Sequence, residues 1–149
     1  MVTQPVVPLS TLNPMGNMYP FAHVFEVETN AQESVDFWKI PDGTIITMVL
    51  VEVRVAGTGS AANIIVGDDD TDNGYILAAT VCGATVGDVF GDAVADRGVY
   101  LEAGATGTHA GSWKVYTDVD KELKMDCSAS LTTEATVRVM VFGWKMDQV

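Results

Sequence analysis

A chain of 149 residues with a formal charge of −12 and a pI near 4.2 is poorly suited to nucleic acid or an anionic lipid surface. Both partners are negative, and counterion release needs Lys and Arg clusters that are absent here. With 48% hydrophobic and 19% charged residues the chain is globular in composition and long enough to bury one core without disulfides.

Residues 1–20, MVTQPVVPLSTLNPMGNMYP, hold four of the five prolines and no charge. Each proline fixes φ, removes a donor and pushes the preceding residue towards extended geometry, which predicts an extended arm rather than a strand or helix. Val2, Val6, Val7, Leu9, Leu12, Met15, Met18 and Tyr19 make the arm too apolar for a solvated tail. It should lie on a surface, that of its own domain or of a neighbouring subunit. Pro5 and Pro8 break its apolar run and no cationic residues precede it, unlike a secretory signal. No apolar stretch approaches the roughly 20 residues that cross a bilayer, so a soluble product made in the cytoplasm is expected.

Residues 21–149 read as one β-sandwich domain. Short runs of β-branched and aromatic residues alternate with Gly, Asp, Asn and Ser. They predict strands at Ala22–Glu28, Ser34–Ile40, Thr44–Val55, Ala61–Val66, Tyr75–Thr80, Val99–Glu102, Ser112–Thr117, Glu122–Ser128 and Ala135–Lys145. Period-two alternation puts Val49, Val51, Val53 and Val55 on one face, and likewise Leu123, Met125 and Cys127, and Val137, Val139 and Val141. The opposite face of the last strand carries Arg138, Met140, Phe142 and Trp144, apolar enough to predict contact with the arm or a second subunit. Pro41-Asp42-Gly43 is a tight turn, and Gly57-Thr58-Gly59-Ser60 is a candidate hairpin loop. Residues 81–98 show no clear period; a short helix at Gly87–Ala95 or an irregular excursion is expected. The sum is an all-β, antiparallel two-sheet sandwich, with a jelly roll as its expected topology.

From Asp68 to Glu102 there are eight acidic residues against Arg97 alone, which predicts one anionic surface. Asp68, Asp70 and Asp72 match the first three ligands of a calcium loop, but Asn73 and Ala79 stand where an EF-hand needs Gly and Glu. An EF-hand is excluded. A looser calcium site at those three residues is the functional reading, and a solvent-exposed hairpin tip the simpler one. No cofactor is implied. Cys82 and Cys127 lack the close spacing of a redox or zinc pair. His23 and His109 are the only histidines, and no nucleophile elbow accompanies them, so no catalytic residues are assigned. Trp38, Trp113 and Trp144 are candidate core or interface residues, or platforms for a sugar.

The apolar proline-containing arm, the Gly/Thr/Val-rich sandwich and the stretches Ile40-Pro41-Asp42-Gly43-Thr44 and Ala61-Ala62-Asn63-Ile64-Ile65-Val66-Gly67-Asp68-Asp69-Asp70-Thr71-Asp72-Asn73-Gly74-Tyr75-Ile76 resemble the decoration (cement) proteins of tailed-phage capsids. That resemblance implies a virion protein on the capsid exterior, a homotrimer that bridges subunits of the major capsid protein. Val6, Val7, Leu9, Leu12, Met15, Met18 and Tyr19 of the arm, with Phe142 and Trp144, would then form the capsid or subunit interface. The competing expectations are a receptor- or carbohydrate-binding sandwich of a head or tail fibre, and a small lytic hydrolase.

Overall fold

The computed structural model describes residues 18–29, 33–59, 61–101, 113–117 and 120–146. Most of the expected arm, including Val6, Val7, Leu9, Leu12 and Met15, lies outside them, as do Glu102 and His109.

The chain forms β1 (Met18–Thr29), β2 (Ser34–Lys39), β3 (Thr44–Val55), β4 (Thr58–Gly59), β5 (Asn63–Asp68), β6 (Ile76–Thr80), β7 (Val89–Phe90), β8 (Lys114–Tyr116), β9 (Glu122–Cys127), β10 (Leu131–Thr133) and β11 (Ala135–Met146). In the first sheet the order is β1-β11-β3-β7, with β8 also paired to β3. The second sheet runs β2-β9-β5-β6, and β10 and β4 make a small ladder of their own. Every pairing between these strands is antiparallel. Along the chain, β1, β2, β3 and β5 alternate between the two sheets or stay opposite their predecessor, so β5 and β6 are the sequence-adjacent strands that pair directly. The remaining ladders join distant segments.

The core lies between the sheets. Val137, Val139 and Val141 of β11 and Val49, Val51 and Val53 of β3 have no exposed surface, and they are matched from the second sheet by Ile64, Val66, Leu123 and Met125. The alternation expected for β9 and β11 is the alternation observed. Cys127 is buried, and both cysteines are free thiols. Burial at roughly 25 cal/mol per Å² of apolar surface makes these valine and isoleucine ladders the main source of stability.

The register of β3 corrects one expectation. Opposite β11, Val53 faces Val137 while Val55 faces Thr136, which leaves Arg54 as an extra residue. Such a bulge reverses the faces beyond it. Val55 is therefore turned out and 51% exposed, instead of sharing the core face of Val49, Val51 and Val53. A second slip, between Phe142 and Gly143, makes Thr47 the extra residue and lets both Ile46 and Val49 face the core. The strands approach so closely there that a Cβ on Gly143 would stand 1.9 Å from the Ile45 carbonyl oxygen, so glycine is required.

Other expectations also change. β1 starts at Met18, so Met18, Tyr19 and Pro20 belong to a strand, paired with Met146, Lys145 and Trp144. Thr58 and Gly59 do not close a hairpin but pair with β10, because β3 and β5 lie in different sheets. In place of a helix at Gly87–Ala95 there is β7 and a single 3-10 turn at Val94–Asp96. Val99–Leu101 is a turn rather than a strand, held by Tyr100 N–H donating to the Gly74 carbonyl at 2.8 Å.

The bulge at Arg54 makes neighbouring valines unequal. Val53→Ala should lower the free energy of unfolding by about 2 kcal/mol through lost burial and a residual cavity, whereas Val55→Ala should stay within about 0.5 kcal/mol. Urea denaturation of the two variants measures the difference.

Candidate functional site

Two features stand out from the frame: a carboxylate buried between the sheets, and an uncharged apolar face on the outside of the first sheet.

The carboxylate is Asp68, at the end of β5. Just after it the chain doubles back, so tightly that a Cβ on the preceding Gly67 would meet the Thr71 carbonyl oxygen at 1.9 Å. Asp68 has no accessible surface. Its Oδ1 accepts the backbone N–H groups of Asp70 and Thr71, both at 3.0 Å, and the Tyr100 hydroxyl at 2.9 Å. Its Oδ2 accepts Lys114 Nζ and the Tyr116 hydroxyl, both at 2.6 Å. Since Tyr116 donates to Asp68, the Tyr75 hydroxyl donates to Tyr116, at 2.6 Å. Lys114 Nζ also lies 2.7 Å from the Tyr100 hydroxyl and 3.9 Å from the centre of its ring. Lys114 and Tyr116 belong to the first sheet and Asp68 to the second, so this network ties the two sheets together.

Burial pushes the Asp68 carboxyl up, but hydrogen bonds from Lys114, Tyr116 and Tyr100 outweigh it and hold the group below the ordinary carboxylate range. Burial likewise raises the hydroxyls of Tyr75, Tyr100 and Tyr116, so they serve as donors. The surrounding acidic turn is paired too. Lys121 bonds Asp70 and Lys124 bonds Asp69, each at 2.6 Å. Three of the chain's five lysines thus converge on this turn.

This geometry changes the reading of the D-x-D-x-D run. Asp68 is not at a solvent-exposed tip, and the cation between Asp68 and Asp70 is the Lys114 ammonium, 2.6 and 3.3 Å away. Asp72 is exposed. Among the described residues no group of three His, Cys, Asp or Glu side chains is placed to hold a metal ion. Lysine was missed at the sequence level because Lys114 stands 46 residues from Asp68.

The second feature follows from strand register. Opposite the buried valines, successive rows across the first sheet are Met18–Met146, then Pro20–Trp144–Ile45–Val115, then Ala22–Phe142–Met48, then Val24–Met140–Leu50. All are apolar. The next row, Glu26–Arg138–Glu52, is charged, and Glu52 accepts hydrogen bonds from Arg138 at 3.2 Å and Arg54 at 3.0 Å. Val24 is 58% exposed, Met18 47% and Trp144 41%. Four rows over two to four strands span about 15 by 20 Å, the size at which an exposed apolar patch is often functional. Phe142 and Trp144, the two β11 residues expected at an interface, both lie on it, as does Met18. Tyr19 is exposed but points from the opposite side of β1.

His23 sits on β1 among aromatic rings, 5.0 Å from Phe21 and 5.2 Å from Trp38 between centroids. With Phe25 and Phe37 these rings pack where the edge strands β1 and β2 of the two sheets approach. Trp113 is exposed. Among the described residues no helix is long and apolar enough to cross a membrane.

No protein-family model and no curated protein matches the sequence. Among solved structures, the chain is similar to one in the cyanophage Pam1 capsid asymmetric unit, at 14% identity and a TM-score of 0.55, over 97% of this chain and 93% of that one. A chain from the acid-stable capsid of Helicobacter pylori bacteriophage KHP30 aligns at 16% identity and a TM-score of 0.45, over 85% of this chain and 93% of that one. The Pam1 match extends over nearly the whole sandwich and establishes a shared fold.

The buried carboxylate predicts a specific acid response. Because the folded state holds Asp68 below its unfolded value of about 4, its contribution to stability is present above that pH and is lost as pH falls through the lower, folded value. Thermal melts should drop steeply below about pH 4, and Asp68→Asn should flatten that limb while lowering the melting temperature at pH 7. Lys114→Met, which leaves a carboxylate buried without its cation, should cost on the order of 3 kcal/mol at neutral pH, measurable by denaturant unfolding.

Proposed function

We propose that this chain is a viral structural protein, a decoration (cement) protein that binds the major capsid protein on the exterior of a tailed-phage capsid and assembles there as a homotrimer. The observation that carries the reading is the uncharged face around Phe142 and Trp144 on a protein whose formal charge is −12. A shell loaded with nucleic acid is strengthened by clamps that bury apolar surface across its subunit joints, and this face supplies such surface. The remaining acidic surface would face solvent and oppose particle aggregation.

The fold shared with the Pam1 capsid chain supports a place in a virion. The order 1-11-3-7 against 2-9-5-6 corresponds to two nested four-stranded Greek keys, and we read the sandwich as a jelly roll. In this reading Val6, Val7, Leu9, Leu12, Met15, Met18 and Tyr19 join Phe142 and Trp144 as contact residues, and the protein has no catalytic role. A glycan-binding fibre domain is favoured by the exposure of Trp113 and Trp144, since an exposed indole offers a stacking platform.

Purified protein mixed with capsids lacking it should co-sediment and raise the temperature at which the particles release their contents. Phe142→Asp together with Trp144→Asp should abolish both effects while the variant still melts cooperatively. Undiminished binding by that variant, or glycan binding that Trp144→Ala removes, would overturn the cement reading.

A further inference from the structure

The apolar face of the first sheet leaves a question independent of any capsid: what covers it in the free protein. We infer that residues 1–17 of the same chain fold back over this face and cover it.

Position and reach support this occupant. The segment joins β1 at Met18, which itself forms a corner of the face. Residues 1–12 extend to roughly 40 Å at 3.3 Å or slightly more per residue, about twice the length of the face. A reversal is required, because β1 leaves the sheet at the Met18–Met146 row. The sequence Asn13-Pro14-Met15-Gly16 carries the residue types that a type I turn favours, Asn first, Pro second and Gly fourth.

Chemistry agrees with position. Residues 1–17 carry no charge, and the four rows they would cover carry none either. The first charged row, Glu26–Arg138–Glu52, lies on the far side from Met18. Pairing along the free edge of β1 is disfavoured. Pro5 and Pro8 are three residues apart, so one of them would aim its missing N–H at β1. Contact through side chains over the face needs no such donor. A tether this short also gives the chain's own segment an effective concentration in the millimolar range, which favours it over a second copy in dilute solution.

The test uses the full chain with Trp38→Phe and Trp113→Phe, so that Trp144 alone reports on the face. Its emission should be blue-shifted and weakly quenched by acrylamide at every protein concentration. Adding Leu9→Asp and Leu12→Asp should red-shift the emission and steepen quenching, with the far-UV dichroism unchanged. A second readout leaves the arm's remaining apolar residues in place. With Cys82→Ser, Leu9→Cys and Met48→Cys, a short bis-maleimide should give a crosslinked monomer by mass. Identical quenching with and without the Asp substitutions would overturn the inference. Protection that appears only as sedimenting oligomers form, with crosslinks only between chains, would overturn it in favour of a second copy.

Discussion

A carboxylate withdrawn entirely from water has to be met by donors from every side, and that requirement organises one end of this molecule. Asp68 closes β5, yet its partners come from the turn after it, from Tyr100 and from β8 of the other sheet. The tightness of the turn at Gly67, the inward position of Tyr100 and the placement of Lys114 serve a single charge. An isolated buried carboxylate would cost several kcal/mol. With five hydrogen bonds, one of them from an ammonium, it becomes a fixed polar link between the two sheets.

The remainder of the sandwich is held by surfaces with no direction of their own. Valine ladders on β3 and β11 and the facing residues of β5 and β9 exclude water, but they do not by themselves specify how one sheet sits over the other. The polar link at one end and the aromatic cluster between β1 and β2 at the other supply that specificity, because rings and charges tolerate fewer arrangements than methyl groups. Two bulges in β3 then decide which residues reach the core.

The outer face of the first sheet is the counterpart of that economy. β11 is central, flanked by β1 and β3, and it is apolar on both sides over much of its length. Its inner face builds the core; its outer face adds nothing to the core. An apolar surface that does not stabilise its own sandwich is available to cover, and be covered by, other polypeptide. The charged row at Glu26–Arg138–Glu52 marks where that surface stops.

Much of this was legible from residues alone. Alternation in β3, β9 and β11 marked the strands and their core faces, since side-chain direction has period two whatever a strand pairs with, and the same count placed Phe142 and Trp144 on an outward apolar face. Local sequence does not encode partners many residues away. The bulge that turns Val55 out exists only in the ladder with β11, and the pairing of β4 with β10 only in the assembled sandwich. The burial of Asp68 at the base of the acidic run was not legible because Lys114 and Tyr116 are brought to it by tertiary structure alone. Sequence therefore determined that the long segments of β3, β9 and β11 are strands and which face most of their residues bury; the fold decided the short strands, the neighbours of every strand and the fate of the charge at Asp68, because pairing and burial are properties of distant segments brought together.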